Sequence, residues 1–367
     1  MLGKHANQKH TIITHILKGK KEMLTNNGFM EETMILTDVG YKCIKDIKIG
    51  DKIFTNDNKY MPITEIIKTS NQSICQLVAM GGLPIYATSD SEFLVITRTK
   101  KHNNKLRKYE YVFSNPYKKK LIDIKPGMDF LCSPILQIEE NPYHLTKEVC
   151  WLLGRYVADG CFTKNNQAVI SVGKDKVEEF ELNTNYFNFY KSKITKTNTY
   201  NYILKDKQLN EFIQNSHFNS LALDKQIPNF ILNLPIDLLK CFIDGYFAGD
   251  GSYIKRYDVY QATTISFNLS ITLQLAIQKI YHVGCRRYFT KRPHEYIIQG
   301  RVVNQHDTYL IRFTKELKKQ RQYYVKDNFI LYPIKKIESI NHICDVYNIN
   351  ILDGYQYLLQ NFLIYNI

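Results

Sequence analysis

Hydrophobic positions along this chain follow two different patterns. From residue 28 to about residue 140, short apolar and polar runs end at Gly, Asp or Asn, which is typical of strands joined by turns. From about residue 141 to residue 326, apolar stretches with helical spacing alternate with pairs of strands, and the order αββαββα occurs twice. We therefore predict an α+β chain in which an all-β region precedes a repeated α/β region. Residues 1–27 are polar and predict an N-terminal extension, either a short helix, a disordered leader or a remnant of a host sequence.

Two apolar stretches share one pattern and one ending. Residues 151–160 and residues 242–251 align without gaps, and each predicts a helix that ends in Asp-Gly. Small residues recur at i and i+4, so one face of each helix would let two backbones approach closely. Packed side by side in register, the helices would bring Asp159 and Asp250 together at one end.

That position is unfavourable for two aspartates. Each faces the negative end of its helix dipole, and the two repel one another. At about 4 Å and an effective dielectric near 20, the repulsion is on the order of 4 kcal/mol. A divalent cation is the natural counter-charge. The alternative is that Asp-Gly only marks a turn after each helix, but recurrence of the whole pattern favours a functional site.

The two stretches resemble the paired motifs of LAGLIDADG homing endonucleases in their two-motif, single-chain form. The resemblance implies that the helices form the interface between two pseudo-symmetric halves, about residues 141–225 and 226–326. It also implies a site for catalytic Mg²⁺ or Mn²⁺ at Asp159, Gly160, Asp250 and Gly251. The first stretch departs from the family pattern at Arg155, where the residue is usually apolar.

Two lysines are candidates for the same site. The run Lys225-Gln226-Ile227-Pro228 precedes the second stretch, and family members carry a Lys-x-x-Pro there whose lysine reaches the active site. The resemblance therefore implies that Lys225 stabilises charge on the scissile phosphate or activates water. The alternative is an ordinary lysine beside a helix. For the partner lysine of the other half we select Lys319, within a basic run.

The strand-rich region resembles the splicing domain of inteins, which has the Hint fold, and so does the C-terminal end of the chain. The resemblance implies a Hint-like domain of residues 28–140 and 327–367. The endonuclease domain, residues 141–326, would be inserted within it, as in inteins that carry a LAGLIDADG domain.

Most residues that carry out splicing are absent from the aligned positions. Gly28 stands where inteins need a nucleophilic Cys or Ser, and without a nucleophile no acyl shift occurs. The Thr-x-x-His base is replaced by a Thr-x-x-Ser, and the penultimate His by Tyr. We predict a scaffold that does not splice, whose vestigial positions are Gly28, Thr88, Ser91, Tyr365 and Asn366.

The charge of the chain indicates a polyanionic partner. The 367 residues carry a net charge of +14, which favours nucleic acid over a merely soluble basic surface. Nine basic residues against one acid fall within residues 98–120: Arg98, Lys100, Lys101, Lys105, Arg107, Lys108, Lys118, Lys119 and Lys120. Tyr and Phe residues lie among them. We predict a DNA-contacting insertion, the alternative being a solvated surface loop.

The strands of the second half carry a further basic group. A sheet with helices on one face leaves its other face free for a DNA groove. The candidate base or phosphate contacts are Arg286, Arg287, Lys291, Arg292, Arg301 and Arg312. For any one of them alone, a solvated side chain is the favoured interpretation.

Cysteine usage and hydropathy indicate that the protein works inside the cell. The eight cysteines form no Cys-x-x-Cys pair, which argues against a zinc finger. No signal peptide or membrane-length apolar run is present. We expect an intracellular monomer that has no membrane partner, in a compartment that the sequence does not specify.

Together with the charge and the paired Asp-Gly motifs, the two resemblances imply a site-specific endonuclease that hydrolyses double-stranded DNA with Mg²⁺ at a long asymmetric target, as a homing enzyme encoded by a mobile element. The main alternative is a catalytically silent DNA-binding protein or RNA maturase on the same fold, because binding needs no carboxylates. Two weaker hypotheses are an intein with residual activity and a basic structural protein. The repeated Asp-Gly pattern argues against a structural protein.

Overall fold

The computed structural model describes residues 27–365, apart from residues 106, 217, 219–220, 294, 299–300, 321 and 352–355. The chain mixes helices and strands, and strands predominate. Within the described residues, no helix is long and apolar enough to span a membrane. The predicted extension, except for Asn27, and the vestigial position Asn366 lie outside the described residues.

The first part of the chain is built from strands joined by tight turns. In chain order they are β1 (Phe29–Met30), β2 (Met34–Thr37), β3 (Gly40–Cys43), β4 (Lys52–Phe54), β5 (Tyr60–Ala79), β6 (Ile85–Ala87), β7 (Glu92–Asn103), β8 (Lys108–Phe113), β9 (Tyr117–Lys120) and β10 (Asp129–Pro134). Single 3-10 turns lie at Ile44–Asp46 and Leu121–Asp123. Asn58 joins β4 to β5 with a φ of 59°, a left-handed conformation that asparagine tolerates.

The middle part alternates helices with strand pairs. Its elements are α1 (Lys147–Asp159), β11 (Gly160–Phe162), β12 (Ala168–Gly173), α2 (Val177–Thr184), β13 (Phe189–Lys191), β14 (Thr199–Leu204), α3 (Lys207–Asn215), α4 (Asn229–Leu232), α5 (Ile236–Asp250), β15 (Gly251–Ile254), β16 (Val259–Thr264), α6 (Phe267–Tyr281), β17 (Arg286–Thr290), β18 (Glu295–Ile298), β19 (Arg301–Asn304) and β20 (Thr308–Phe313). Three helices begin at a side chain that accepts a hydrogen bond from the first turn, namely Thr146, Asp206 and Ser266.

Each half of the middle part has its own antiparallel sheet. The strand orders are β11-β12-β14-β13 and β15-β16-β20-β17. The first half follows the predicted αββαββα order, whereas the second half differs in two respects. The hairpin β18–β19 precedes β20, and the predicted last helix is only a 3-10 turn at Leu317–Lys319. Gln320 has extended backbone after this turn, and its amide both accepts from Gly284 N (2.8 Å) and donates to Gly284 O (2.7 Å), which holds the chain beside β17.

The last strands return to the first part of the chain. They are β21 (Tyr324–Lys326), β22 (Phe329–Ile351), β23 (Gln356–Leu359) and β24 (Phe362–Tyr365). β22 pairs with β10 at its start and with β5 and β1 further along, while β24 pairs with β7. The strands before and after the middle part therefore belong to one connected antiparallel sheet, with its own buried cluster that includes Phe93 and Tyr332.

Helix α6 joins the middle part to this sheet. It is buried on nearly all sides, although it carries several polar residues. Gln274 donates to Tyr332 Oη (2.9 Å), and Lys279 donates to the carbonyls of Ile138, Leu232 and Leu234. Buried polar groups are costly without partners, so these bonds favour one orientation of the sheet relative to the middle part.

Candidate active site between the two helices

Helices α1 and α5 pack backbone against backbone. A Cβ added at Gly154 would lie 1.9 Å from Phe242 O, and one added at Gly245 would lie 2.0 Å from Trp151 O. These two contacts are reciprocal, because the aligned residues of the two helices face one another. No side chain fits at either position, so glycine permits the close approach. The pairing has the register that the spacing of small residues predicts.

The close packing brings the two helix ends together. Asp159 and Asp250 are the last helical residues, and Gly160 and Gly251 follow as the caps that start β11 and β15. A Cβ at Gly249 would lie 2.9 Å from Asp159 Oδ2, so this carboxylate reaches across to the end of α5. The two aspartates are close enough for Asp159 to raise the pKa of Asp250.

Two lysines bind the carbonyl oxygens at these helix ends. Lys225 Nζ donates to Val157 O (2.7 Å) and Ala158 O (3.3 Å). Lys176 Nζ donates to the equivalent carbonyls of α5, Ala248 O (2.9 Å) and Gly249 O (2.6 Å). Ammonium groups satisfy the unpaired carbonyls of a helix C-terminus and oppose its negative dipole. They also place two positive charges beside the carboxylates.

Sequence reasoning missed Lys176 and selected Lys319 in its place. Lys319 pairs instead with Asp258 and with Glu316 Oε1 (2.8 Å). It belongs to the 3-10 turn next to β15 and β17, and its ammonium is committed to these acids. No repeat signal distinguishes Lys176, because it follows α1 in the chain whereas Lys225 precedes α5.

Arg155 lies inside the helix interface. Its side chain is 2% exposed and forms an ion pair with Asp159, one turn further along α1. Nη2 also lies 3.4 Å from Ser171 O on strand β12. The counter-charge for Asp159 is therefore supplied, at least in part, by the protein itself.

Burial and neighbouring charges shift the pKa values of Asp250 and Lys225 in opposite directions. Burial, followed by the charge of Asp159, raises the pKa of Asp250 to about 6, against the opposing effect of Lys225, Arg155 and Lys176. Part of Asp250 is nevertheless exposed to solvent, so water screens some of this effect. Burial lowers the pKa of Lys225, which the two aspartates oppose.

The donor set fits a magnesium or manganese ion that is held partly by substrate. Mg²⁺ is usually bound through one or two carboxylates together with phosphate oxygens and water. Among the described residues, no group of three or more His, Cys, Asp and Glu forms a complete protein cage. Asp250 has no hydrogen-bond or ion-pair partner among the described residues, whereas Asp159 shares its carboxylate with Arg155. Both carboxylates can therefore supply oxygen ligands, and those of Asp250 do not compete with an ion pair.

The basic insertion forms a hairpin and a short strand. Strands β7 and β8 pair from Arg98 to Asn103, and the exposed Lys100, Lys101, Lys105 and Arg107 lie along the hairpin. Arg98 instead packs 4.4 Å from the Tyr111 ring and donates to Gly127 O. The three lysines of β9 each pair with an acid, as Lys118–Glu92 (2.5 Å), Lys119–Asp129 (2.7 Å) and Lys120–Asp90 (3.1 Å).

The arginines of the second sheet are divided between its two faces. Arg286 and Arg312 are paired across β17 and β20 on the outer face, where Arg312 Nε donates to Gln261 Oε1 (2.8 Å). Arg287 is the next residue along β17, so its side chain points to the inner face opposite Ile311. It is 3% exposed, and the prediction that it contacts DNA is wrong for that reason. Arg292 is exposed.

Three of the positions aligned with intein splicing residues, Gly28, Thr88 and Ser91, form a hydrogen-bonded cluster. Gly28 N donates to Thr88 Oγ1 (3.0 Å), and Ser91 Oγ donates to Gly28 O (3.1 Å). A Cβ at Gly28 would lie 2.7 Å from Val346 Cβ, so the space for a first nucleophile is filled. Tyr365 lies under Lys118, whose ammonium is 5.5 Å from the ring centre.

No family model matches the chain. It is 24% identical, over 294 residues, to a DNA polymerase of Thermococcus hydrothermalis, a match that covers 68% of this chain and 17% of the polymerase. Among solved structures it is similar to the gp41-1 intein (16% identity, 31% of this chain and 73% of the intein, TM-score 0.23). It is also similar to mesophilic variants of the homing endonuclease I-DmoI (14% identity, 45% of this chain and 88% of that chain, TM-score 0.30). The chain spans about a sixth of the length of this polymerase, and all three likenesses are distant.

Proposed function

We propose that this chain is a site-specific endonuclease that hydrolyses both strands of a long, asymmetric DNA duplex with Mg²⁺ or Mn²⁺. The observation that carries the proposal is the reciprocal contact of Gly154 and Gly245. It brings two carboxylates and two lysine ammonium groups to one end of a helix pair. Two carboxylates placed side by side at the negative ends of two helix dipoles have no evident benefit for stability, whereas they suit phosphodiester chemistry.

Each member of the site has a role in this reaction. Asp250 and Asp159 are the carboxylates available to a divalent metal, which would supply Lewis acidity toward the scissile phosphate and lower the pKa of a bound water. Lys225 and Lys176 hold the two helix ends in place and add positive charge where the phosphate becomes more negative. Because the lysines bind backbone carbonyls, they remain in position before substrate arrives.

The proposed DNA surface combines the outer faces of the two sheets with the β7–β8 hairpin. The second sheet offers Arg286 and the Arg312–Gln261 pair, side-chain types that bind guanine and adenine edges. The first sheet carries an uncharged pair, Ser171–Asn201 (3.0 Å), on its strands β12 and β14. Sheets so unlike one another suit two different half-sites. Lys100 and Lys101 would contact phosphates.

The proposal includes loss of protein splicing. We divide the chain into a Hint-like domain of residues 28–140 and 327–367 and an inserted endonuclease domain of residues 141–326. The contact between Gly28 and Val346 supports the loss, because it leaves no room for a nucleophile. We further propose that the protein acts inside cells, as a monomer. The DNA polymerase match covers a small part of that protein, so polymerase activity is not proposed.

The test is cleavage of a randomised duplex library by the full chain with Mg²⁺, with sequencing of the new ends. We expect ends enriched at one long sequence, absent without metal and absent with Asp250→Asn. Asp250→Asn should still retain the enriched duplex in a filter-binding assay, since most of its affinity comes from phosphate contacts elsewhere. Equal cleavage by wild type and Asp250→Asn would refute the proposed active site.

A second function is favoured by one observation. Arg155 already neutralises Asp159, which is compatible with a silent DNA-binding protein or an RNA maturase. Such a protein would select a duplex or an RNA from a mixed library without producing new ends. The same library experiment therefore separates the two functions.

A further inference from the structure

Arg155 has no counterpart in the second helix. With Gly154 aligned on Gly245, Arg155 aligns with Tyr246, so one side of the interface carries a cation and the other a phenol. Both side chains are fully buried. A buried guanidinium is costly unless its charge is paired, and in this interface its partner is Asp159.

The guanidinium occupies the space between the two helix ends. A Cβ at Gly249 would collide with Arg155 Nη1 as well as with Ala158 Cβ. The absence of a side chain at Gly249 therefore makes the room that Arg155 uses. Asp159 is one third exposed on its other side, while Asp250, across the interface, has no such partner among the described residues.

We propose that Arg155 divides the paired site into two unequal halves. Asp250 binds a divalent metal ion, whereas Asp159 is held by the guanidinium, which takes the place of a second ion. This inference rests on the proposed function, because it assigns the metal ions of the same site. It makes Arg155 a positioning residue, which fixes the Asp159 carboxylate and acts on the reaction only through it.

Electrostatics gives the expected direction. A guanidinium in contact with a carboxylate cancels most of the charge that a metal ion would bind, and its own charge repels the ion at short range. We expect the Asp159 half to bind metal at least roughly tenfold more weakly than the Asp250 half. Removing the guanidinium should raise the metal affinity of the Asp159 half.

The experiment is a Mn²⁺ titration of the full chain without DNA, in which electron paramagnetic resonance counts the free ion. Wild type should bind one ion of the stronger class, and Asp250→Asn but not Asp159→Asn should abolish it. Arg155→Met, which keeps the apolar stem, should gain a second ion of similar affinity. Asp159→Asn in the Arg155→Met background should remove that gain.

A charge-conserving variant separates positioning from structure. Arg155→Lys should bind Mn²⁺ as wild type does, while a merely structural arginine would make the Lys and Met variants alike. Thermal unfolding monitored by circular dichroism confirms that each variant is folded. Where Arg155→Met does not fold, the contrast between Asp159→Asn and Asp250→Asn in the wild-type background decides the question.

The outcomes keep the inference apart from the proposed function. Unchanged stoichiometry in Arg155→Met, equal effects of the two Asp→Asn variants, or no bound Mn²⁺ in wild type would each overturn the inference. Mg²⁺-dependent cleavage by wild type could still be found in any of these cases. Conversely, if no duplex is cleaved, the number of Mn²⁺ ions bound by wild type and the variants still tests the role of Arg155.

Discussion

Gly245→Ala tests whether the helix contact is needed for the site. The added methyl would lie 2.0 Å from Trp151 O, whereas ordinary contact begins at 3.4 Å, so the backbones must separate by about 1.4 Å. Because the obstacle is a backbone carbonyl rather than a flexible side chain, we expect a cost near the upper end of the roughly 1–3 kcal/mol typical of overpacking. Alanine has a higher helix propensity than glycine, which offsets about 1 kcal/mol of this cost.

The net loss in free energy of unfolding is then about 2 kcal/mol, which corresponds to a fall in Tm of about 4–8 °C for a domain of this size. Cleavage should fall far more, since a displacement of about 1 Å of catalytic groups costs on the order of a hundredfold. The measurements are thermal unfolding by circular dichroism and Mg²⁺-dependent cleavage of the selected duplex.

Lys240→Ala is the matched control, because it introduces alanine into the same helix at a half-exposed position. Its free energy of unfolding should stay within about 0.5 kcal/mol of wild type. If Gly245→Ala is as stable and as active as this control, the close approach of the helices is not what assembles the site.

The remaining predictions concern the lysines, pH, salt and splicing. Lys176→Met should reduce the cleavage rate by at least roughly tenfold with little change in duplex affinity; an unchanged rate would make Lys176 a helix cap only. Because the pKa of Asp250 is raised to about 6, Mn²⁺ binding should weaken as the pH falls below about 6 and protons compete for the carboxylate. The same shift favours the folded state as pH falls from about 6 towards 4, because the folded chain then binds more protons than the unfolded chain. Lys100→Ala with Lys101→Ala should flatten the salt dependence of DNA binding by nearly two units of slope. The triple alanine variant of β9 should flatten it by less than that, because its lysines already pair with acids; the reverse order would contradict the ion pairs described. Between two reporter proteins, the chain should stay one continuous polypeptide by intact mass, and ligated reporters would show that Gly28 does not prevent splicing.

The sequence predicts what depends on local pattern. The repeated small residues and the final Asp-Gly are enough to predict two helices, their register and the meeting of Asp159 with Asp250. Lys225 is found through the resemblance, because the family carries a Lys-x-x-Pro at this place before the second helix. Lys176 is not, because its contact with α5 depends on how the first half folds back across the interface, and no repeat marks it.

The basic residues show a second limit of the sequence. A count of charges within residues 98–120 finds a single acid, but the acids that pair with β9 lie outside that segment on β7, on β10 and in the turn before β7. Antiparallel pairing brings them together across the sheet. Arg286 and Arg287 differ for a similar reason, because alternation along β17 sends adjacent side chains to opposite faces.

The hydrogen bonds between helix α6 and the strand-rich sheet affect where DNA would be held. Its buried polar side chains bond to Tyr332 on β22, in the sheet to which β7 also belongs, and to Ile138 in the segment that follows β10. A rotation of the sheet would break these hydrogen bonds and leave buried polar groups unpaired, at a cost of about 1–3 kcal/mol each. The sheet therefore has little freedom to turn relative to the helix pair. The hairpin cations are therefore held at a fixed distance from the paired carboxylates. A fixed distance would let phosphate contacts along the hairpin set the position of the duplex on the site. The strand-rich part of the chain would then contribute to target recognition whether or not it splices.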